Sequence, residues 1–304
     1  MYETFISVLP IFFLIVTGLL AKRFFVESEL FWRTNDKLVY YLFFPFLLII
    51  KIGSANFDVG GVWIGIFTTV AATAIIAVAI FLYRFLFSHD NPLFTSVFQG
   101  TVRYNSYIFI ACSEALFGPR GGAVSGIFIT IMIIFTNILS VVVMNRYGGG
   151  GKGIGAIVWK TATNPLIIGA IVGVFINVSG TRMGPEPISE FMRYLGHAAT
   201  PLSLMSVGAG LSFIADREKN FSILLTVFMK LLAMPAVAIL LLKIYPAHDM
   251  LIASLAVLYC AVPCAGNAYI LSRQMGGDSS TMASIITWET VISIITIPVM
   301  MAMI

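Results

Sequence analysis

Four polar side chains lie in stretches of this chain that are otherwise apolar, and their types point to anion chemistry. Asn267 sits in "VPCAGNAYILSRQMGGD" (residues 262–278), behind Pro263 and Gly266. Arg103 and Asn105 sit in "GTVRYNSY" (residues 100–107), and Glu289 sits in "SIITWETVIS". An asparagine offers an amide donor and a carbonyl acceptor at one point. Proline removes a helical N–H and clashes with the turn before it, and glycine tolerates unwound backbone. A helix broken there exposes free N–H groups and the positive end of a dipole at the start of its second half. Two such breaks facing each other would suit an anion, with Asn105 and Asn267 as ligands, Pro263 and Gly266 holding the backbone open, and Arg103 pairing with a carboxylate. The same residues also fit a plain kink and an ordinary interhelical hydrogen bond, and Arg103 also fits an arginine reaching for the membrane interface. Glu289 lies too deep to reach water easily, so it reads either as a proton-coupling carboxylate or as the buried partner of Lys230.

The elements that position these residues are membrane spans. Of the 304 residues, 59% are hydrophobic and only 11% charged, where soluble domains carry about 25% charged residues. Runs of about 20 apolar residues cross a bilayer, and ten occur: 4–21, 36–52, 60–87, 94–117, 121–144, 155–178, 188–214, 220–244, 249–273 and 280–303. The opening "MYET" has no basic stretch ahead of its apolar run, which argues against a cleaved signal peptide. Lys and Arg number eleven in the loops after segments 1, 3, 5, 7 and 9 and five on the opposite side, which predicts ten crossings with both termini outside. The net charge of +4 is scattered among loops, so it reads as membrane orientation and excludes a nucleic-acid stripe. Cys112, Cys260 and Cys264 have no zinc-like spacing and read as packing residues; no metal or cofactor is expected.

The two halves echo each other. "PFLLIIKIGSANF" (Pro45 to Phe57) in segment 2 matches "PLSLMSVGAGLSF" (Pro201 to Phe213) in segment 7. "NSYIFIACSEALFG" (Asn105 to Gly118) in segment 4 matches "CAGNAYILSRQMGG" (Cys264 to Gly277) in segment 9, setting Glu114 opposite Arg273. Each half has five segments, so the second enters the membrane inverted, as in many secondary transporters. The expected fold is all-α and polytopic, with residues 1–152 and 153–304 as inverted five-helix repeats and helices 4 and 9 broken and crossing.

With "RYNSYIFIACSEALFG" and "VPCAGNAYILSRQMGGD" in place, the chain resembles the auxin efflux carrier family, whose bacterial members include proteins described as malonate and malate permeases. The resemblance implies a scaffold of helices 1, 2, 6 and 7 and a transport domain of helices 3–5 and 8–10. It also implies elevator-type movement, dimerisation through the scaffold and a substrate-site asparagine at each crossover, here Asn105 and Asn267. The chain departs from the family by lacking a proline at the helix 4 crossover, where Tyr104 to Tyr107 stand, and by lacking the long loop of the plant carriers, so auxin is not the expected substrate.

The function these features predict is a secondary carrier that moves a small organic anion, a carboxylate, by alternating access. Asn105, Asn267, Arg103, Pro263 and Gly266 form the substrate site, Glu289 and Lys230 serve a coupling proton or sodium ion, and the protein is a homodimer in the bilayer. No ATP motif is present, so uphill transport would draw on an ion gradient or the membrane potential. A passive anion channel and a substrate-binding sensor are the rival readings. An enzyme is not expected, because the chain has no HExxH, no histidine cluster and no glycine-rich nucleotide loop. Lys51 reads as an anion-attracting or interfacial lysine, Glu114 and Arg273 as interfacial, and His197 as structural. "MSVGAG" (205–210) fits close helix packing or substrate clearance.

Overall fold

The computed structural model describes residues 2–54, 61–86, 90–148, 155, 163–180, 185–213 and 219–304. Among them the chain is helical, with no strand. Segment 1 is α1 (Tyr2–Phe24). Segment 2 starts earlier than its hydropathy predicts: α2 (Glu29–Leu38) runs into a π-turn and then α3 (Phe44–Gly53). The Ser28 hydroxyl accepts from Phe31 N–H at the start of α2, a cap that hydropathy does not register. Segment 3 is α4 (Val62–Leu86), and segments 4 and 5 form α5 (Asn91–Val102) and the long α6 (Ser106–Tyr147). Within α6 the chain turns at Gly118, whose φ of 64° and ψ of −160° lie outside the helical region, and Pro119 opens the next span.

Segment 6 contains α7 (Pro165–Ser179), which Asn164 caps through Leu166 N–H and Pro165 opens, while residues 156–162 of that segment lie outside the described residues. Segment 7 is α8 (Glu186–Ala209), and segment 8 is α9 (Asn220–Phe228), a π-turn and α10 (Met234–Ile244). Segment 9 is two helices, α11 (Met250–Ala261) and α12 (Asn267–Gln274), and segment 10 is α13 (Ser279–Met301). The division between repeats at 152 and 153, the end of the segment 2 match at Phe57, and Lys152, Lys160, Arg182 and Arg217 lie outside the described residues.

Both π-turns answer a proline. Val39–Phe43 precedes Pro45 and Met229–Ala233 precedes Pro235. A proline ring in an α-helix strikes the carbonyl four residues back. One widened turn, closed by Phe44 N–H to Val39 O and by Met234 N–H to Met229 O, lets each helix continue past its proline.

Among the described residues five helical stretches are long and apolar enough to cross a membrane: Tyr2–Phe24, Val62–Leu86, Asn91–Tyr147, Asn220–Ile244 and Ser279–Met301. Large apolar side chains such as Phe13, Trp63, Phe67 and Phe175 face outward where a soluble protein would bury them. The fold is that of a polytopic membrane protein.

Two packing groups position the site. In the first, α1 and α3 pack on α7 and α8. Gly208 lies directly against the Ile15 carbonyl and Gly18 against that of Met205, so "MSVGAG" serves close packing. Gly173 similarly meets Ile52 and Leu48. In the second group, α11 is enclosed by α4, α6, α10 and α13, and every residue from Ile252 to Ala261 is buried.

The two ends of this second group are tied differently. At one end Arg120 Nη2 pairs with Asp249 Oδ2 at 2.6 Å. At the other, Asp278 N–H donates to Pro92 O at 3.1 Å, while its carboxylate caps α13 through Thr281 N–H and takes Lys219 at 2.9 Å. Burial pushes the Asp278 carboxyl up, but the bonds from Thr281 and Lys219 outweigh it and hold the group below its usual range.

Candidate functional site

Helix α5 stops at Val102, and residues 103–105 are not helical. Arg103 is extended, with φ −79° and ψ 158°, and Asn105 has φ −86° and ψ 100°. No proline is needed, because the freed backbone groups find other partners. Asn105 Oδ1 accepts from Tyr107 N–H at 3.0 Å and Ile108 N–H at 3.2 Å, capping α6. Asn105 N–H itself donates across to Pro263 O at 2.7 Å.

That bond joins the two breaks. Helix α11 ends at Ala261, residues 262–265 are not helical, and α12 resumes at Asn267. Cys264 N–H, stranded by the break, donates to Glu289 Oε2 of α13 at 2.7 Å. A carboxylate buried in the last span thereby satisfies the broken backbone of the one before it. Glu289 Oε1 is buried and has no partner.

Sequence reasoning anticipates Pro263 at this break but misassigns Gly266. Its φ of −58° and ψ of −30° are ordinary helical values that any residue adopts, so its conformational freedom is not used. What Gly266 does supply is room: a Cβ placed there would meet nothing within 4 Å.

Arg103, Asn105, Pro263, Gly266 and Asn267 thus come together. Arg103 is buried, and its Nη2 donates to Asn267 Oδ1 at 2.9 Å, so it does not reach for the interface. Two donors in this cluster are buried without a partner, Arg103 Nε and Asn105 Nδ2. Asn267, by contrast, is exposed. An orphaned buried donor costs about 1–3 kcal/mol, more when charged. Both donors would be satisfied by an acceptor anion.

Lys230 and Glu289 lie behind the break but form no ion pair within 4 Å of each other, which corrects the reading of Lys230 as the carboxylate's direct partner. Lys230 is fully buried in the second π-turn, with its ammonium 3.5 Å from Met234 Sδ and 5.7 Å from the centre of the Tyr259 ring. The π-turn that admits Pro235 also turns Lys230 inward. Lys51 is likewise not a free interfacial cation, since it pairs with Glu114. His197 and Arg273 are exposed, and the three cysteines are buried and free.

The two flanks of the joined breaks differ in chemistry. On one side Tyr104, Phe109, Phe128 and Tyr259 pack ring to ring, with Tyr104 and Tyr259 centroids 4.4 Å apart. On the other, Gln99 Nε2 donates to Ser272 Oγ at 3.0 Å and Ser96 Oγ donates to Asp278 O at 2.8 Å. Sequence reasoning missed this second flank, which the polar residues Ser96, Gln99 and Arg103 at helical spacing would have signalled.

Two interrupted helices thus meet through the Asn105 N–H to Pro263 O bond, with two unsatisfied donors beside it. The family model for membrane transport proteins matches residues 3–301. The chain belongs to this family, that of the auxin efflux carriers. Among its relatives is a protein of Rhizobium meliloti (strain 1021) named "Putative malonate transporter", 24% identical over 302 residues, which cover 95% of this chain and 92% of the relative. Membership fixes the general role of this transport protein, and Arg103, Asn105 and Asn267 stand together where its two breaks join.

Proposed function

We propose that this transport protein is a secondary carrier for a small organic anion, a carboxylate, and that the anion binds where the two breaks meet. The observation that carries this reading is the pair of buried, unpartnered donors, Arg103 Nε and Asn105 Nδ2, beside the open space at Gly266 and Asn267. A carboxylate accepts from both and balances the Arg103 charge. The name of the Rhizobium relative supports the same substrate class.

In this reading the two halves are inverted repeats and their broken helices cross at the substrate. The packing group of α1, α3, α7 and α8 serves as scaffold, with the remaining spans as the moving body, and the carrier works by an elevator-type cycle as a homodimer in the bacterial inner membrane, both termini outside. Glu289 is the group proposed to take a coupling proton. Its Oε2 holds the broken backbone at Cys264, and its unpartnered Oε1 has room in its bonding for that proton. Lys230, buried nearby without an ion-pair partner, sets the local charge that the proton would answer.

The test is unfolding of purified protein in detergent with acetate, malonate and related acids, alongside Arg103→Gln and Asn267→Ala. A ligand that binds only the native state raises its stability. The expected result is stabilisation of the parent by at least one carboxylate and none in either variant. Counterflow of that acid in proteoliposomes then separates a carrier from a channel or sensor. Absence of stabilisation by every acid, or equal stabilisation of parent and variants, overturns the reading.

A further inference from the structure

The pair Lys51–Glu114 joins two regions that the proposed cycle requires to separate. Lys51 stands in the last turn of α3, within the scaffold group, and Glu114 stands on α6, within the moving body. The other ion pairs named above, Arg120–Asp249 and Lys219–Asp278, each lie inside the moving body. Glu114 is nine residues beyond Asn105, roughly 13 Å along the helix from the break. It therefore lies toward the end of the bundle marked by Arg120 and Asp249, away from the end marked by Asp278.

The two ends are not equally closed. Toward the Lys51 end the break is sealed by α11, buried from Ile252 to Ala261, and by the rings of Tyr104, Phe109 and Tyr259. Toward the Asp278 end, α12 leaves Asn267, Tyr269, Ile270 and Arg273 exposed, and Gly266 borders open space. The ion pair is on the closed side. Its partners are partly buried, with side chains 15% and 39% exposed, so the attraction is less screened than at an open surface.

Resting on the carrier reading above, we propose that Lys51 and Glu114 are a latch that closes one side of the substrate site. The pair forms when the site faces the Asp278 end and breaks when the moving body slides toward the Lys51 end. At this seam Gly126 of α6 lies against Ile52 and Leu48 of α3, a close approach with no side chain of its own to obstruct that slide. The latch thereby sets the balance between the two facing states.

The test reads accessibility and needs no substrate. In a background with Cys112, Cys260 and Cys264 replaced by alanine, Ser106→Cys places a thiol at the start of α6, and a membrane-impermeant maleimide is applied to each face separately. The expected result is that Glu114→Gln and Lys51→Gln each raise labelling from the Lys51 face several-fold over the reference. The swap Lys51→Glu with Glu114→Lys returns labelling toward the reference, because it restores the attraction. Unchanged labelling in the single variants, or a swap that behaves as the sum of its parts, overturns the latch. If the charge variants fail to fold, Lys51→Cys with Glu114→Cys provides a second measurement. Oxidation of that pair should abolish Ser106→Cys labelling from the Lys51 face and reduction should restore it, while labelling that persists under oxidation overturns the proposal. Loss of the carboxylate-binding reading would show separately, in the unfolding assay of the parent protein.

Discussion

The two helix breaks reach one geometry by different chemistry. The break at 103–105 contains neither proline nor glycine, yet α5 stops there and α6 begins anew, because the Asn105 side-chain Oδ1 caps α6 and its backbone N–H donates to Pro263 O. The break at 262–265 has a proline, and α12 starts without any side-chain cap. There Cys264 N–H is taken by Glu289 from another helix, and Asn267 Oδ1 turns to Arg103. The asparagine at each break thus does different work. Asn105 builds the backbone of the site, and Asn267 orients its charge. In a medium without water, a helix breaks where its freed N–H groups have somewhere to go, and a proline is only one way to begin.

The strongest way to break this comparison is to remove the external partner of the second break. Glu289→Ala strands Cys264 N–H in the core, and losing a buried bond to a charged acceptor should lower stability by about 3 kcal/mol. Denaturant unfolding in detergent measures it. Glu289→Gln keeps a carbonyl that can accept from Cys264 N–H and should recover most of the loss. If alanine and glutamine cost the same, the carboxyl oxygen is not what holds the break. The same pair tests coupling separately, since glutamine carries no titratable proton and should uncouple transport from a pH gradient while remaining stable.

At the first break the cap and the proposed ligand group are opposite ends of one amide. Asn105→Ala should cost about 1 kcal/mol through loss of the N-cap. Asn105→Asp retains an oxygen for Tyr107 and Ile108 N–H and so should retain most of that stability, but it replaces the Nδ2 donor with an acceptor. Stabilisation by carboxylates should therefore vanish in Asn105→Asp while the protein stays folded. If Asn105→Asp binds carboxylates as the parent does, the free donor is not part of the site.

How much of this was legible in the sequence follows from range. The polytopic class and the break at Pro263 are written in runs of composition and in local residue types, because these act on backbone a few residues away, whereas the break at 103–105 has no such local mark and is suggested only by the match between the halves. The partners were not. Nothing local to Glu289 says that its carboxylate meets Cys264, twenty-five positions earlier, and nothing local to Lys51 says that it meets Glu114. Both depend on how helices pack across the chain. Gly266 shows the converse error. Its type suggested backbone freedom, while the structure uses its lack of a side chain.

That last point yields the smallest stability effect and the sharpest division between fold and function. Gly266→Ala adds a methyl where φ is −58° and nothing lies within 4 Å, so the native backbone accepts alanine without strain. Alanine also restricts the unfolded chain, so stability should rise by about 0.5 kcal/mol. The methyl nevertheless projects into the space beside Asn267 that the carboxylate is proposed to occupy. Unfolding with and without the acid found for the parent separates the two effects. A variant as stable as the parent alone, but less stabilised by the acid, places the substrate against Gly266. Equal stabilisation would move the substrate away from this break and toward Arg103 and Asn105, leaving the second break as a hinge for the first.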